Sequence, residues 1–337
     1  MGSVIPLKKS ANSAYLDLKN LMAKKLLKVE ELIEFRLESK VDLISKMTSH
    51  HIKSGGKRLR ALLTLGSAKL SGYQLGERDV KLSACVELIH AATLLHDDVI
   101  DESSLRRGLK TTNSIWGNQS SILVGDYFLS RCFEIMVEDG DLEVLKLLSS
   151  TSAKIAQGEV LQLQHKGEAD LLEDTYIDII NLKTAALFSA ATKTGAYIAS
   201  SNDKEKNALE SYGKNLGLAF QIADDALDYY AKEKIFGKEI GKDFFEGKAT
   251  LPLIIIYQRG NDEERKFLSE ILKKEKRNED DFSETLALIN KYKAVEASLK
   301  KAEYFVNVSH DALAIFQDSE DKRILQNLTG FSLNRSF

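Results

Sequence analysis

The chain has 337 residues, of which 43% are hydrophobic, and its 47 basic and 50 acidic residues give a formal net charge of −3. A chain of this length can bury a large core, and its nearly balanced charge provides no overall basic field for nucleic acid. These quantities predict a globular protein that does not bind nucleic acid and whose cationic sites are local.

The N-terminal segment lacks the apolar region of a signal peptide. No stretch reaches the roughly 18 consecutive apolar residues that a membrane-spanning helix needs, so we expect no transmembrane segment. Cys85 and Cys132 stand alone, without the spacing of a metal site, which is typical of reduced and buried thiols. We therefore expect a cytoplasmic protein.

Apolar residues recur at helical spacing along most of the chain, which contains only two prolines and no linker rich in Pro, Gly and Ser. One such stripe has spacings of 4, 4, 3 and 4 and consists of Val80, Ala84, Leu88, Ala91 and Leu95. Plain core packing explains this stripe. We predict one all-α domain for residues 1–337.

A glycine pair, Gly55 and Gly56, directly precedes a predicted helix start that carries Lys57 and Arg60. Two glycines before a helix usually form only a turn. In this case, however, backbone N–H groups, a helix N-terminus and two cations on one face could together receive a phosphate.

The first acidic cluster consists of Asp97, Asp98 and Asp101 and is surrounded by apolar residues. In a helix, Asp97 and Asp101 lie one turn apart on one face, where two carboxylates repel unless a partner compensates them. His90 falls on the same face two turns earlier. It is either a core histidine bonded to a backbone carbonyl or a phosphate-binding group, and we favour the second interpretation.

A second acidic cluster, Asp224, Asp225 and Asp228, repeats the same i, i+1, i+4 pattern. One such cluster could be a solvated helix end, but two in apolar surroundings favour metal binding. Because Mg²⁺ prefers oxygen ligands and typically combines one or two carboxylates with substrate phosphates, the pattern predicts cations between the two helices and a diphosphate substrate.

Basic residues accompany each acidic cluster. Arg106 and Arg107 follow the first one, Lys238 follows the second, and Lys183 and Thr184 lie in a predicted helix between them. The Gly241-Lys242 pair lacks the GxxxxGK[ST] spacing of a nucleotide-binding loop. The alternation of acid and base therefore indicates diphosphate binding without a P-loop.

Five motifs in this order resemble the trans-isoprenyl diphosphate synthases of the polyprenyl synthetase family. They are GGKRLR at Gly55 to Arg60, DDVIDESSLRRG at Asp97 to Gly108, KT at Lys183-Thr184, FQIADDALD at Phe220 to Asp228, and GKEIGKDFFEGKATLP at Gly237 to Pro252. The chain departs from the family pattern at Ala61, where proline is usual, and offers only Arg335 as a final basic contact. The resemblance implies the isoprenoid synthase fold, with antiparallel helices around a large central active-site cavity, and a homodimer.

The resemblance also implies roles for these residues. About three Mg²⁺ ions would be held by Asp97, Asp101 and Asp224, with support from Asp98, Asp225 and Asp228. The allylic diphosphate would be bound by Arg106, Lys183 and Lys238. The second substrate, isopentenyl diphosphate, would be bound by Lys57, Arg60, His90 and Arg107, with Thr184 and Gln221 near the reacting carbons.

Two small residues before the first cluster, Ala92 and Thr93, bear on product length. Thr93 lies about 6 Å along the helix axis from Asp97, where a growing hydrocarbon should pass. By resemblance, an aromatic residue at either position closes the channel in short-chain enzymes. Ala92 and Thr93 could instead merely permit close helix packing. We predict a long-chain synthase, whose product of about eight to ten five-carbon units serves quinone side chains.

Three alternatives stay open. A shorter-chain farnesyl or geranylgeranyl synthase would carry the same motifs. A class I terpene cyclase shares the first acidic cluster but differs in its second metal motif. A non-catalytic regulatory subunit of a prenyltransferase often lacks the aspartates, which are intact here.

Overall fold

The computed structural model describes residues 11–230, 240–331 and 333. The chain falls into two compact units. The Asp97 unit comprises Leu16–Ser152 and Ala190–Glu210, and the Asp224 unit comprises the described parts of Met1–Tyr15, Ala153–Ser189 and Ser211–Phe337. The prediction of a single domain stays a prediction.

The all-α prediction is confirmed, since the described residues form α-helices with only one short hairpin. In chain order the helices are α1 (Ala11–Leu21), α2 (Ala23–Arg36), α3 (Asp42–Lys53), α4 (Leu59–Leu70), α5 (Arg78–Ile100), α6 (Thr112–Trp116), α7 (Asn118–Asp139), α8 (Leu142–Gln164), α9 (Glu173–Ile180), α10 (Ala186–Ile198), α11 (Asp203–Leu227), α12 (Lys242–Glu246), α13 (Leu251–Arg259), α14 (Asp262–Leu272), α15 (Glu279–Tyr292), α16 (Ala294–Ala312) and α17 (Glu320–Leu328). None of these described helices has the length and apolar character needed to cross a membrane.

The Asp97 unit is built around α5, which packs against α7, α4 and α2. The predicted stripe from Val80 to Leu95 is buried, as expected, but the opposite faces of α5 are buried as well, for example at Leu82 and Val86. A helix buried all round is central rather than amphipathic. Cys85 and Cys132 are free and buried between α5 and α7, as predicted.

A short hairpin interrupts the helical pattern after α5. Its strands, β1 (Leu105–Arg106) and β2 (Leu109–Lys110), are joined by Arg107 and Gly108, which both have positive φ, 53° and 78°. Two central residues with positive φ make the type I′ turn that suits a two-residue hairpin. The turn directs the two arginines to different partners. Arg106 binds Asp98, and Arg107 donates to the Gly55 carbonyl.

The Asp224 unit has its core around α13, which packs against α16, α15, α14 and α9. After α9 the chain forms a single π-helical turn, Asn181–Ala185, where the sequence predicted ordinary helix. Two glycines allow close packing on this turn. A Cβ at Gly158 would lie 2.6 Å from the Lys183 backbone nitrogen, and a Cβ at Gly217 would lie 2.6 Å from the Ala185 Cα. Such π turns frequently occur at functional sites.

Candidate functional site

The first acidic cluster lies at the C-terminal end of α5. The backbone N–H of Asp101 donates to the Asp97 carbonyl at 2.8 Å, so these two residues keep the one-turn spacing even though α5 ends at Ile100. Both are half-buried, whereas Asp98 between them is only 4% exposed. The three carboxylates therefore divide into an outer pair, Asp97 and Asp101, and a buried middle residue.

Arg106 binds the buried middle residue. Its Nε donates to both Asp98 carboxylate oxygens, at 3.0 and 3.1 Å, and its Nη2 donates to Oδ1 at 2.7 Å. This fork geometry compensates a buried carboxylate well. In the structure Arg106 thus neutralises Asp98, and its predicted contact with an allylic diphosphate stays a prediction.

The segment Gly55 to Arg60 holds its shape through contacts with two other elements. Arg107 Nη1 donates to the Gly55 carbonyl, and a Cβ at Gly56 would lie 2.9 Å from the same nitrogen. Glycine at position 56 therefore leaves room for the Arg107 guanidinium. Arg58 precedes α4 in the left-handed conformation, with φ 48°.

The N-terminus of α4 already has a carboxylate partner. Glu87, 4% exposed on α5, accepts the Ala61 N–H at 3.0 Å and lies 3.7 Å from Arg58. A carboxylate is favourable here because the first N–H groups of a helix lack partners within it. A proline, which the family usually has at this position, would carry no N–H. Alanine at position 61 therefore makes this hydrogen bond possible. That N–H group is not available to a phosphate.

Cations and imidazoles gather around this segment, and burial together with the cations lowers the pKa values of His51 and His90. Burial and then Arg60, His51, Arg106 and Arg107 hold the pKa of His90 well below its usual value. Burial and then Arg58, Arg107 and Arg106 lower the pKa of His51 to about 4. Like charges that depress a pKa in this way would be relieved by an anion. The cluster is therefore suited to a diphosphate.

Sequence reasoning named Lys57, Arg60, His90 and Arg107 but missed His51. It lies near the C-terminus of α3, four residues before Gly55. Its ring packs edge-on against the Phe128 ring, with the two ring centroids 5.6 Å apart. The only signal was its proximity to the glycine pair. Lys57 is exposed, and His90 is half-buried rather than enclosed in the core.

The two proposed chain-length positions differ in burial. Ala92 is fully buried, whereas Thr93 is half-buried and donates its hydroxyl to the His90 carbonyl at 2.9 Å. Because its hydroxyl is satisfied within α5, Thr93 can present its methyl group to a hydrocarbon. The limit on product length stays a prediction for both positions, and the partial exposure of Thr93 makes it the better placed of the two.

The second acidic cluster lies at the C-terminal end of α11 and repeats the same division. Asp224 and Asp228 are half-buried, and Asp225 is 4% exposed. Asp225 accepts hydrogen bonds from the Tyr176 hydroxyl at 2.6 Å and from Gln221 Nε2 at 2.7 Å. Burial outweighs these two donors and raises the pKa of Asp225 to about 6.

A fourth carboxylate, Asp243, joins this cluster. Its backbone N–H donates to Asp228 Oδ2 at 2.9 Å, and burial followed by Asp225 and Asp228 raises its pKa well above the usual value. Sequence reasoning quoted this residue within a motif but assigned it no role. Several carboxylates that disfavour one another's charge provide a favourable place for a cation.

Lys183 and Thr184 lie in the π-helical turn. The Lys183 ammonium contacts Glu159 Oε2 at 2.5 Å and donates to Gln162 Oε1 at 2.8 Å, both on α8.

Thr184 donates its hydroxyl to Gln221 Oε1 at 2.9 Å. The structure thus brings together Thr184 and Gln221, while their expected place near the reacting carbons stays a prediction. It also adds Glu159, Gln162 and Tyr176, which the sequence analysis did not select. Lys238 lies outside the described residues.

The donor set suits a hard cation, because all candidate ligands are carboxylates. Within the described residues, no three His, Cys, Asp or Glu side chains are grouped so as to hold a metal ion. A Mg²⁺ ion bound by one or two carboxylates and by phosphate oxygens does not require such a group.

Comparison with known proteins agrees with this geometry. The polyprenyl synthetase family model matches residues 41–289. An octaprenyl diphosphate synthase from Haemophilus influenzae is 35% identical over 310 residues, covering 92% of this chain and 94% of the relative. A geranylgeranyl diphosphate synthase from Sulfolobus acidocaldarius is less similar, at 30% identity over 316 residues.

Two solved structures are similar throughout. A decaprenyl diphosphate synthase from Rhodobacter capsulatus has a TM-score of 0.90 and 41% identity, covering 95% of this chain and 98% of that one. A polyprenyl synthase from Caulobacter crescentus, solved with calcium and isoprenyl diphosphate, has a TM-score of 0.91, with the same identity and coverage. The chain belongs to the polyprenyl synthetase family.

Proposed function

We propose that the protein is a long-chain all-trans polyprenyl diphosphate synthase that condenses isopentenyl diphosphate with an allylic diphosphate. The observation that carries this proposal is the shared arrangement of the two acidic clusters. In each, a buried middle aspartate is bound by other side chains and the outer pair is half-buried. Similarity to octaprenyl, nonaprenyl and decaprenyl synthases supports the long product.

We propose Asp97, Asp101 and Asp224 as the ligands of about three Mg²⁺ ions, which would neutralise negative charge developing on the departing diphosphate. The calcium and isoprenyl diphosphate in the Caulobacter crescentus complex support a divalent cation beside a diphosphate. Asp98, Asp225 and Asp228 act mainly by holding the clusters in shape, as their hydrogen bonds indicate.

The basic residues divide between two diphosphates. Lys57, Arg60, His90 and Arg107 bind isopentenyl diphosphate, a role supported by the arginines that, after burial, lower the pKa values of His90 and His51. The allylic diphosphate is bound by Arg106, Lys183 and Lys238. Binding by Lys183 requires its ammonium to exchange Glu159 for phosphate oxygens, which carry more negative charge than one carboxylate.

The chemistry needs no protein nucleophile. The allylic C–O bond breaks, its electron pair leaves with the diphosphate, and the isopentenyl double bond forms a new C–C bond to the resulting cation. A proton then leaves the new chain for the released diphosphate, which regenerates an allylic diphosphate that is five carbons longer. The protein's part is to fix both diphosphates and to stabilise separated charge in a site without water.

The test is incubation of the purified protein with Mg²⁺, farnesyl diphosphate and labelled isopentenyl diphosphate, followed by chromatography of the dephosphorylated products. We expect products of about eight to ten five-carbon units, because the side chains before Asp97 are small. Products of three or four units would support a shorter-chain synthase. Consumption of the allylic substrate alone would indicate a cyclase, and no turnover would indicate a regulatory subunit.

We also propose that the protein works as a homodimer in the cytoplasm and supplies quinone side chains. Helix α7 exposes several large apolar side chains, and soluble monomers rarely expose a large apolar patch. They are Ile122, Leu123, Phe133 and Val137, exposed by 42%, 67%, 44% and 68%. Sedimentation should give a dimer at assay concentrations, and Phe133→Asp should weaken it. A monomeric wild type would contradict this proposal.

A further inference from the structure

Four side chains of the Asp224 unit form one continuous hydrogen-bonded chain. Tyr176 donates to Asp225 Oδ2 at 2.6 Å, Gln221 Nε2 donates to Asp225 Oδ1 at 2.7 Å, and Thr184 donates to Gln221 Oε1 at 2.9 Å. The chain links α9, α11 and the π-helical turn. It joins Tyr176, which carries no motif signal, to the two residues proposed to lie near the reacting carbons.

The chain has a defined direction. Both Asp225 oxygens accept, one from a phenol and one from an amide, which is the arrangement expected of a carboxylate. Gln221 must therefore turn its NH₂ group towards Asp225 and its carbonyl oxygen towards Thr184, because the network decides the orientation of an amide. Thr184 is then obliged to donate its only hydroxyl proton to Gln221. The lone pairs of the Thr184 oxygen can then face a group on the side away from Gln221.

The surroundings hold the chain rigidly. Tyr176 is 2% exposed and Asp225 is 4% exposed, so neither has room to change its partner. Thr184 cannot move freely either, because close packing of Gly158 and Gly217 encloses the π-helical turn that carries it. Packing around these residues therefore fixes the direction of their hydrogen bonds.

We propose that Tyr176 is a positioning residue for the condensation. By holding Asp225, it fixes the amide of Gln221 and so makes Thr184 present its oxygen, rather than its hydroxyl proton, to the reacting carbons. An oxygen lone pair directed at a carbon with developing positive charge stabilises that charge, whereas a proton in the same place would oppose it. This inference rests on the proposed function and adds to it a residue outside the five motifs.

The first test is Tyr176→Phe, which keeps the buried ring and removes only the hydroxyl. We expect kcat to fall about tenfold, which corresponds to about 1.4 kcal/mol, with KM for both diphosphates changed less than about twofold. The matched control is Tyr212→Phe. Tyr212 is also fully buried in the same unit, and its hydroxyl donates to the Leu325 carbonyl at 2.8 Å. We expect this control to lose similar thermal stability but to keep the wild-type kcat.

The second test asks whether Tyr176 acts through the chain. In a Thr184→Val background, which has no hydroxyl to orient, Tyr176→Phe should lower kcat by less than about twofold. Asp225→Asn, whose amide can also donate and so lets Gln221 reverse, should lower kcat by a factor similar to that of Tyr176→Phe. A full tenfold effect of Tyr176→Phe in the Thr184→Val background would overturn the proposal.

The outcomes separate this inference from the proposed function. A wild type that does not elongate would remove the function and the inference together. A wild type that elongates, together with a Tyr176→Phe variant of unchanged kcat, would overturn only the inference. Equal losses of kcat in Tyr176→Phe and Tyr212→Phe would also overturn it, since they would show a general effect of stability.

Discussion

The two acidic clusters have the same spacing in sequence but different partners in the fold. At the end of α5, the buried Asp98 is bound by the charged fork of Arg106, eight residues later in the chain. At the end of α11, the buried Asp225 is bound by the neutral groups of Tyr176 and Gln221. The middle aspartate is a buried structural anchor in both clusters, whereas the outer aspartates are half-buried.

The difference between the anchors has an energetic consequence. A guanidinium supplies charge that compensates a buried carboxylate, whereas a phenol and an amide supply only dipoles. Burial outweighs the two neutral donors and raises the pKa of Asp225 to about 6. The comparison teaches that one motif can be built around a charged or a neutral anchor.

The largest effect should come from the outer aspartates. We expect Asp97→Ala and Asp224→Ala each to lower turnover about a thousandfold or more, because they remove metal ligands, while the fold stays intact. The matched control is Asp203→Ala, which changes an exposed aspartate on the same helix as Asp224 and should keep full activity. Steady-state assays at saturating Mg²⁺ measure this effect, and near-normal turnover in both variants would refute the ligand roles.

The anchors should differ in their contribution to stability. We expect Asp98→Asn to lower the free energy of unfolding by about 2 kcal/mol, because it breaks a buried charged fork and leaves Arg106 without its partner. Asp225→Asn should stay within about 1 kcal/mol of the wild type, because loss of the weakened hydrogen bonds is offset by removal of a buried charge. Denaturant unfolding in EDTA measures both. Equal losses would contradict the distinction between charged and neutral anchors.

The neutral anchor should also make stability depend on pH. Because folding raises the pKa of Asp225 from 3.8 to about 6, the folded state binds this proton more tightly than the unfolded state. The wild type should therefore gain stability relative to Asp225→Asn as the pH falls from about 6 to about 4, by at most about 1.4 kcal/mol per pH unit. The measurement is urea unfolding of both proteins in EDTA. A difference that is constant across this pH range would contradict the raised pKa.

The smallest energetic effect, but a clear change of product, should follow when the residue four positions before the first cluster is replaced by the residue type found four positions before the second. The residue four before Asp224 is Phe220, whose ring packs on Phe188 with centroids 5.2 Å apart, whereas the residue four before Asp97 is Thr93. We expect Thr93→Phe to shorten the product while condensation continues, because an aromatic ring fills the path of the growing chain. Product chromatography measures this. An unchanged distribution would remove Thr93 as a determinant.

Ala92→Phe is the comparison for that experiment. Since Ala92 is fully buried, a phenylalanine there should cost stability by overpacking, typically about 1–3 kcal/mol, in addition to any effect on the product. A variant that shortens the product at full stability would show that Ala92 borders the hydrocarbon path.

The sequence by itself determined the helical class, the buried stripe of α5, the free buried cysteines and the place of the two acidic clusters. All of these follow from local periodicity and spacing, which a single chain displays directly. Family resemblance singled out both Thr184 and Gln221, but only the structure shows that the Thr184 hydroxyl donates to Gln221 Oε1 at 2.9 Å.

Only the tertiary structure decided which aspartates are anchors and what binds them. Tyr176 lies 49 residues from Asp225, and Glu87 lies 26 residues from the Ala61 N–H that it accepts. No local pattern encodes such contacts, because they depend on which helix faces pack together and on how deeply a carboxylate is buried. The sequence determined where the charges stand along the chain, and the packing of the helices determined which aspartates are buried and which side chains bind them.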